Sequence, residues 1–269
     1  MSQAPANFLW IGPALSKMEQ LCLRSFLDHG YDVRLHTYGP VAGVPEGVSI
    51  EPASATVPAD QISRQTTQGF GQGGYAGFSD LFRYELIHRR GGWWFDLDFV
   101  SIKPLQQPDD IYIASSHEGH WGVCANACAL YAPPGHPVLD RLRRAAREKL
   151  AAGPIKFGDI GPHLVQHIVR EMNLSSRLAP WWEFSPYPWR QIQRVALPSL
   201  GAVAKDQLRL LRFLLWQTTR PTFRAGYLRS GTRAIHLHNE IWRSSGMDKN
   251  ATHHPLCLYE RLKRRHGVA

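Results

Sequence analysis

Phe8-Leu9-Trp10-Ile11-Gly12, residues 16–29, and Tyr31-Asp32-Val33-Arg34-Leu35-His36-Thr37-Tyr38 together decide the fold class. The first stretch is a short apolar run closed by Gly12-Pro13, as a buried strand is. In the second, Met18, Leu21, Cys22, Ser25 and Phe26 recur with helical spacing, and Gly30 is placed as a stop. The third alternates with period two, which predicts a strand. Strand, helix and strand in succession form a βαβ unit. The expectation is an α/β fold whose sheet is mostly parallel and flanked by helices.

Residues 39–60, rich in Pro, Gly, Ala and Val, predict a loop with one short strand from Val48 to Glu51. Residues 61–77 are polar and glycine-rich. Gly69, Gly71 and Gly74 formally fit G-x-G-x-x-G, but Gln61 to Gln68 is not an apolar strand and no acidic residue follows at the required distance. The segment is read as a mobile loop over a pocket. Ser79 to Arg90 predicts a helix with Ser79 or Asp80 at its N-terminus and Arg89-Arg90 suiting the dipole at its end. Gly91-Gly92 stops it. Trp93 to Ile102 and Ile111 to Ser115 predict strands, 137–150, 161–172 and 205–217 helices, 180–198 an irregular stretch, and Ala234 to Leu237 a late strand.

The chain has 269 residues with 43% hydrophobic and 20% charged, enough to bury a core and unlike a disordered chain. Nine Trp are many, and Trp serves where a flat apolar face meets a base or a sugar. The net charge of +9 favours a polyanionic partner: nucleic acid, an anionic membrane surface or a phosphate-rich substrate. Met1 to Gly12 has no basic n-region and no apolar run is long enough to span a bilayer, so the expectation is a cytoplasmic protein without a transmembrane helix. Cys22, Cys124, Cys128 and Cys257 are too scattered for a disulfide framework. Cys124 and Cys128, four apart, fit one helix face, but two further zinc ligands are lacking.

The chemistry concentrates in Trp93-Trp94-Phe95-Asp96-Leu97-Asp98. On a strand, Trp93, Phe95, Leu97 and Phe99 share a core face, and Trp94, Asp96 and Asp98 share the other, with the carboxylates about 7 Å apart. Two close carboxylates repel and are costly to bury, and a hard divalent cation shared with a diphosphate compensates them. Such a cation also gives Lewis-acid help to a departing phosphate. An isolated Asp-x-Asp is more often an exposed strand end or a partner of Arg. The surrounding pattern changes that balance.

The run Phe78-Ser79-Asp80-Leu81-Phe82-Arg83-Tyr84-Glu85-Leu86-Ile87, then Gly91-Gly92-Trp93-Trp94-Phe95-Asp96-Leu97-Asp98, resembles the Asp-x-Asp sugar-transferase superfamily. That group holds glycosyltransferase families 32 and 44: yeast-type mannosyltransferases, the lactosylceramide galactosyltransferase and clostridial toxin catalytic domains. Their shared pattern is Ser-Asp-x-x-Arg-Tyr, a helix, Gly-Gly, an aromatic, then Asp-x-Asp. Weaker similarities lie at Leu9-Trp10-Ile11-Gly12, at Asn126-Ala127 with Gly135-His136-Pro137, and at Gly161-Pro162. Ile235-His236-Leu237-His238-Asn239 resembles the late His-x-Trp-Asn, with His238 in the Trp position.

The resemblance implies a GT-A type nucleotide-sugar-binding fold over 1–269 as one domain, with a donor-binding core at 1–135 and a helical, acceptor-side part with a C-terminal closing segment at 136–269. It implies a retaining transfer of a hexose from a UDP- or GDP-sugar to an acceptor hydroxyl, aided by Mn2+ or Mg2+. Trp10 would stack on the base and Trp94 on base or ribose. Asp80 and Arg83, three apart on a helix, would reach the donor sugar, with Arg83 also near the diphosphate. Asp96 would contact ribose or sugar and the metal's water shell, Asp98 would ligate the metal, and Asn126 would sit beside the transferred sugar. Asp96, Asp98, Arg83 and Asn126 are therefore the expected catalytic set, and His236 joins the metal site, supported by Asn239 and Trp242. Plainer roles are core for Trp10, a helix cap and its partner for Asp80 and Arg83, a turn for Asn126, and a satisfied core histidine for His236. His236 and His238 alternate, so only one faces the site. His163 and His167 lack the glutamate of a metalloprotease and are structural.

The implied acceptor is a glycan or a lipid-linked molecule in surface polysaccharide or glycolipid synthesis. Leu208 to Trp216 and the basic tail suit peripheral contact with the inner face of an anionic membrane, against a core helix as the plainer reading. Two other classes compete. A metal-dependent phosphodiesterase or nuclease would need more clustered Asp, Glu or His. A basic nucleic-acid-binding module could use Arg141 to Lys149 and Arg261 to Arg265, but these lack a known motif or aromatic ladder. The favoured partners are therefore a nucleotide-sugar and a glycan acceptor, not nucleic acid.

Overall fold

The computed structural model describes residues 4–119, 122–196, 228–255 and 257–268. β1 (Ala6–Trp10), α1 (Lys17–Asp28) and β2 (Val33–Thr37) form the expected βαβ unit, with β1 and β2 paired in parallel from Ala6↔Val33 to Trp10↔Thr37. Ser16 caps α1 in a capping box with Glu19, and Gly30 takes a φ of 78° after its end. β3 (Ser49–Pro52) adds to the edge of β2.

α2 (Ala76–Arg90) begins three residues before the position expected from sequence. Ser79 and Asp80 therefore lie inside the helix, and neither caps it. The expected strand over Trp93 to Ile102 is two strands: β4 (Gly92–Phe95) in the main sheet and β5 (Phe99–Ser101) in another. β6 (Tyr112–His117) and β7 (Val123–Ala132) complete the main sheet, in the order β3-β2-β1-β4-β7-β6. β1, β2, β3 and β4 pair in parallel, and β7 runs against both β4 and β6. The mixed, mostly parallel sheet expected from sequence is therefore present. β7 was not legible as a strand, and Cys124 and Cys128 lie on it, not on a helix.

Helices cover both faces. Phe82, Trp94 and Leu130 pack with Leu139 of α3 (Pro137–Ala152) and Leu164 of α4 (Pro162–Glu171) on one face. Phe8, Phe26, Trp93, Phe95 and Phe184 pack on the other, Phe184 coming from α5 (Trp181–Phe184). A third cluster joins Met18 and Leu21 of α1 to Val100, Ile235, Trp242 and Tyr259. It seats β8 (Ala234–His236), α6 (Asn239–Ser244) and α7 (Leu258–Arg265) against the first βαβ unit. Burial of such apolar surface, at about 25 cal/mol per Å2, is the main force holding these layers together.

Two glycines are dictated by local geometry. Gly91 and Gly92 have φ values of 66° and 98°, in the region that favours glycine. A Cβ on Gly91 would lie 2.6 Å from Pro134 Cδ, so the turn from α2 into β4 admits no side chain.

Among the described residues no helix is long and apolar enough to cross a membrane. The helix expected at 205–217, and with it the lipid-facing segment 208–216, lies outside the described residues.

Candidate functional site

β1 departs toward β2 and β3 on one side and has β4 on the other. Open α/β sheets bind ligands outside the carboxyl ends of their strands at such a reversal of direction. Trp10 ends β1 there, and Asp96 follows β4 directly.

Asp96-Leu97-Asp98 is a turn, not a strand. The Asp96 amide still donates to Cys128 O at 2.8 Å, and the Phe99 amide then donates back to Asp96 O at 3.2 Å. The chain thereby leaves the main sheet for β5, which pairs antiparallel with β8 through Phe99↔His236. This pairing brings His236 to the aspartates. One ligand atom from each of Asp96, Asp98 and His236 lies within 4.8 Å of the others. The aspartates converge as expected, but through a turn, and more closely than two residues along one strand face.

Asp98 is 6% exposed. Its Oδ2 accepts the Asn239 amide at 2.6 Å and lies 3.3 Å from His236 Nε2. Its Oδ1 is buried without a hydrogen-bond partner. Burial pushes the carboxyl up, but His236 and the Asn239 amide outweigh it and hold the acid down at about 2. Burial lowers the His236 imidazole, and Asp98 more than reverses that, so its pKa stands well above 6.5. An anionic carboxylate with one orphaned oxygen, beside a second carboxylate and an imidazole that gives up its proton when a cation takes its place, fits a divalent cation. These three residues would hold it.

His236 and His238 do not alternate along a strand. β8 ends at His236, and His238 has a left-handed φ of 53° that stacks the two rings 3.9 Å apart. Only His236 is within the cluster. Trp242 is fully buried and donates to Leu237 O at 2.9 Å, so it anchors the segment from the core.

Arg83 organises the second half of the site. Its side chain is 5% exposed, and Nη2 lies 2.8 Å from Asp96 Oδ1 and 3.2 Å from Asp80 Oδ1. Nη1 donates to Ala127 O at 2.6 Å, and Nε donates to Ser79 O at 3.3 Å. Each nitrogen of the guanidinium is thus engaged within the protein. Burial disfavours its charge, but Asp96 and Asp80 raise its pKa further. Asp80 is pushed up to about 7 by burial, against the pull of Arg83. Burial likewise raises Asp96, although Arg83 opposes it.

Trp94 is 1% exposed and has no face open to a base or ribose. Its indole instead donates to Asp96 Oδ1 at 3.0 Å, and its ring lies 5.1 Å from the Arg83 guanidinium carbon. Asn126 is half-buried on β7, and its Oδ1 accepts the Cys128 amide at 3.1 Å. Trp10 is also half-buried and lines a cleft of about 400 Å3 with Asn239, Arg243, Met247 and Lys249.

The glycine-rich loop reaches this region too. The Gly71 amide donates to Glu240 Oε1 at 3.1 Å, one residue beyond Asn239. His163 and His167 lie on the exposed face of α4, near Asp159 and Glu171. The basic run on α3 is largely paired, with Arg141 on Glu171, Arg143 and Arg144 on Asp140, and Arg147 on Glu85. Asp96, Asp98 and His236 are the one cluster of metal-ligating side chains found among the described residues.

No family model and no curated protein matches the chain. Among solved structures it is similar to the PaToxG glycosyltransferase at 12% identity and a TM-score of 0.45, covering 99% of this chain and 86% of that one. It is similar to the glycosyltransferase GlyE of Streptococcus pneumoniae TIGR4 at 10% identity and a TM-score of 0.40, covering 100% of this chain and 64% of that one. The UDP-bound glycosyltransferase domain from the YGT toxin aligns at 10% identity and a TM-score of 0.38, with 87% and 80% covered. Likeness this distant leaves the functional reading to rest on the geometry of the site.

Proposed function

We propose that this protein is a metal-dependent, retaining glycosyltransferase of the GT-A type, moving a hexose from a UDP- or GDP-sugar to an acceptor hydroxyl. The observation that carries the reading is the convergence of Asp96, Asp98 and His236 within 4.8 Å at the carboxyl end of the parallel strands. Residues 1–269 act as one domain in this proposal, with the donor held by 1–135 and closed over by the C-terminal segment. The acceptor is a glycan or lipid-linked molecule.

The chain's own residues have distinct duties. Asp98 and His236 would hold the cation, with Asp98 fixed by the Asn239 amide. Asp96 completes the set while Trp94 and Arg83 fix its orientation. A divalent cation bound there would neutralise charge developing on the departing diphosphate. The imidazole ligand favours Mn2+ over Mg2+, which prefers oxygen ligands alone. Arg83 bridges Asp80 and Asp96 through Nη2, and Asp80 and Asn126 are the polar groups offered to the donor sugar. Asp96 and Asp98 serve as binding groups, not as the acid/base pair of a glycosidase.

The test is a thermal-shift panel of nucleoside diphosphates and their sugars, with and without MnCl2, since a ligand of the folded state raises Tm. A Mn-dependent shift with one nucleotide family, lost in Asp98→Asn, is expected. No shift with any nucleotide-sugar would rule the assignment out.

A further inference from the structure

A ring nitrogen that takes a metal needs a fixed ring plane, and the χ2 torsion of histidine is broad and roughly two-fold. Proteins ordinarily fix that plane through a hydrogen bond from the other ring nitrogen to a carboxylate, a carbonyl or a water. His236 lacks this device. Its Nδ1 is buried with no well-formed hydrogen bond, and the Cys128 thiol beside it is a weak partner. Stacking holds the ring instead. Phe99, paired with His236 across β5 and β8, lies 4.4 Å away at an interplanar angle of 11°, and His238 lies 3.9 Å away at 28°. Two rings this close and this nearly parallel would collide on one face, so they cover opposite faces of the imidazole. Phe99 is fully buried and forms the rigid wall.

His238 reaches its place through an uncommon backbone. Its φ of 53° and ψ of 63° are left-handed, a region that a residue with a Cβ seldom enters. It heads α6, but its side chain caps no amide there, so helix capping does not account for the conformation. The turn has two consequences. It lays the His238 ring on His236, and it carries the next amide, that of Asn239, to Asp98 Oδ2 at 2.6 Å. The Tyr187 backbone in turn bonds the His238 ring. Backbone strain of this kind persists where the surroundings enforce it, and it clusters at functional sites.

We propose that His238 is a positioning residue for the two metal ligands on either side of it. Its ring clamps the His236 imidazole against Phe99 with Nε2 directed to Asp98, and its left-handed turn seats the Asn239 amide on Asp98. The inference rests on the proposed cation site and gives to a ring stack the orienting duty that a hydrogen bond has elsewhere.

The experiment follows Mn2+ uptake by electron paramagnetic resonance, with Mg2+ as competitor, in the wild type, His238→Gly and His238→Phe. Thermal melting of each metal-free protein controls for the fold. Glycine accepts the left-handed turn and removes the ring, whereas phenylalanine restores a flat ring without either nitrogen. His238→Gly is expected to weaken Mn2+ binding about tenfold or more. It should also let Mg2+ compete better, because a loosened imidazole leaves the ligand set to the carboxylates. His238→Phe is expected to stay within about threefold of the wild type on both measures. A merely structural residue would weaken both ions alike and leave their ratio unchanged. Wild-type Mn2+ affinity in a folded His238→Gly, an unchanged ratio, or a His238→Phe weakened tenfold overturns the role of His238; the last result decides even where the glycine variant does not fold. A wild type that takes up no Mn2+, alone or with UDP or GDP, overturns the cation site itself.

Discussion

Replacing Arg83 by Met tests the buried network most severely. The substitution keeps length and apolar volume but leaves Asp80 facing Asp96 with no cation between them. The Asp80 side chain is 9% exposed and that of Asp96 28%, so water can relieve Asp96 far better than Asp80. Breaking a buried pair by removing one partner costs about 3–5 kcal/mol, chiefly because the other charge is left uncompensated. Asp80 already stands at about 7 and sheds its charge by taking a proton once Arg83 is gone, so Arg83→Met at pH 8 is expected to lose stability at the lower end of that range. Adding Asp80→Asn removes the stranded carboxylate, so the double variant should lose less than the sum of the single losses, by about 1–3 kcal/mol. Urea denaturation followed by tryptophan fluorescence measures all four corners of this cycle. Additive losses, with a coupling below about 0.5 kcal/mol, would refute the claim that Arg83 and Asp80 act as a buried pair.

Other outcomes follow from the same contacts. Trp94→Phe removes the indole N–H from Asp96 Oδ1 while keeping an aromatic ring, so Mn2+ affinity should fall roughly tenfold or more with the fold retained; unchanged affinity would show that Trp94 only fills the core. Gly161→Ala places a Cβ 2.5 Å from Asp80 Oδ2, and since Arg83 holds that carboxylate, the variant should lose both stability and donor binding, read by melting and by nucleotide titration. His36 is lowered to about 4, first by burial and then by Arg90, and its ring meets Asn7 Oδ1 at 3.0 Å. Its unfolded form binds a proton near pH 6.5, so stability is full above that pH and is lost as pH falls through about 4, by up to about 3 kcal/mol. Urea midpoints measured from pH 7 to pH 4 should therefore fall less steeply in His36→Gln, and identical slopes would contradict this account.

The local features of the fold were readable from the chain because they depend on neighbours in sequence. The period-two run at Tyr31 to Tyr38 and the spacing from Met18 to Phe26 each recur within one element, and both were realised. α2 was placed late because Tyr75 heads it without a side-chain cap, so no residue marks its start. β7 was missed because Val-Cys-Ala-Asn-Ala-Cys-Ala-Leu-Tyr-Ala lacks the β-branched alternation of a typical strand. Its strand character comes from pairing on both sides.

The site divides in the same way. That Asp80, Arg83, Asp96 and Asp98 lie together was legible from their grouping, although the aspartates sit on a turn and not on a strand. The contact between the Asn239 amide and Asp98 spans 141 positions and depends on β5 pairing with β8. No local periodicity encodes it, so His236 was reachable by resemblance alone. The burial of Trp94 was not legible for a related reason. Alternation placed it on the face of Asp96, but packing against Phe82 and Arg83 closed that face.

The most direct measurement on the central claim is uptake of Mn2+ followed by electron paramagnetic resonance, which needs no knowledge of the sugar or acceptor. The wild type is expected to take up one ion per chain, with Asp98→Asn and His236→Ala each abolishing or severely weakening it. A wild type that leaves Mn2+ free in solution, both alone and with UDP or GDP present, would contradict the account.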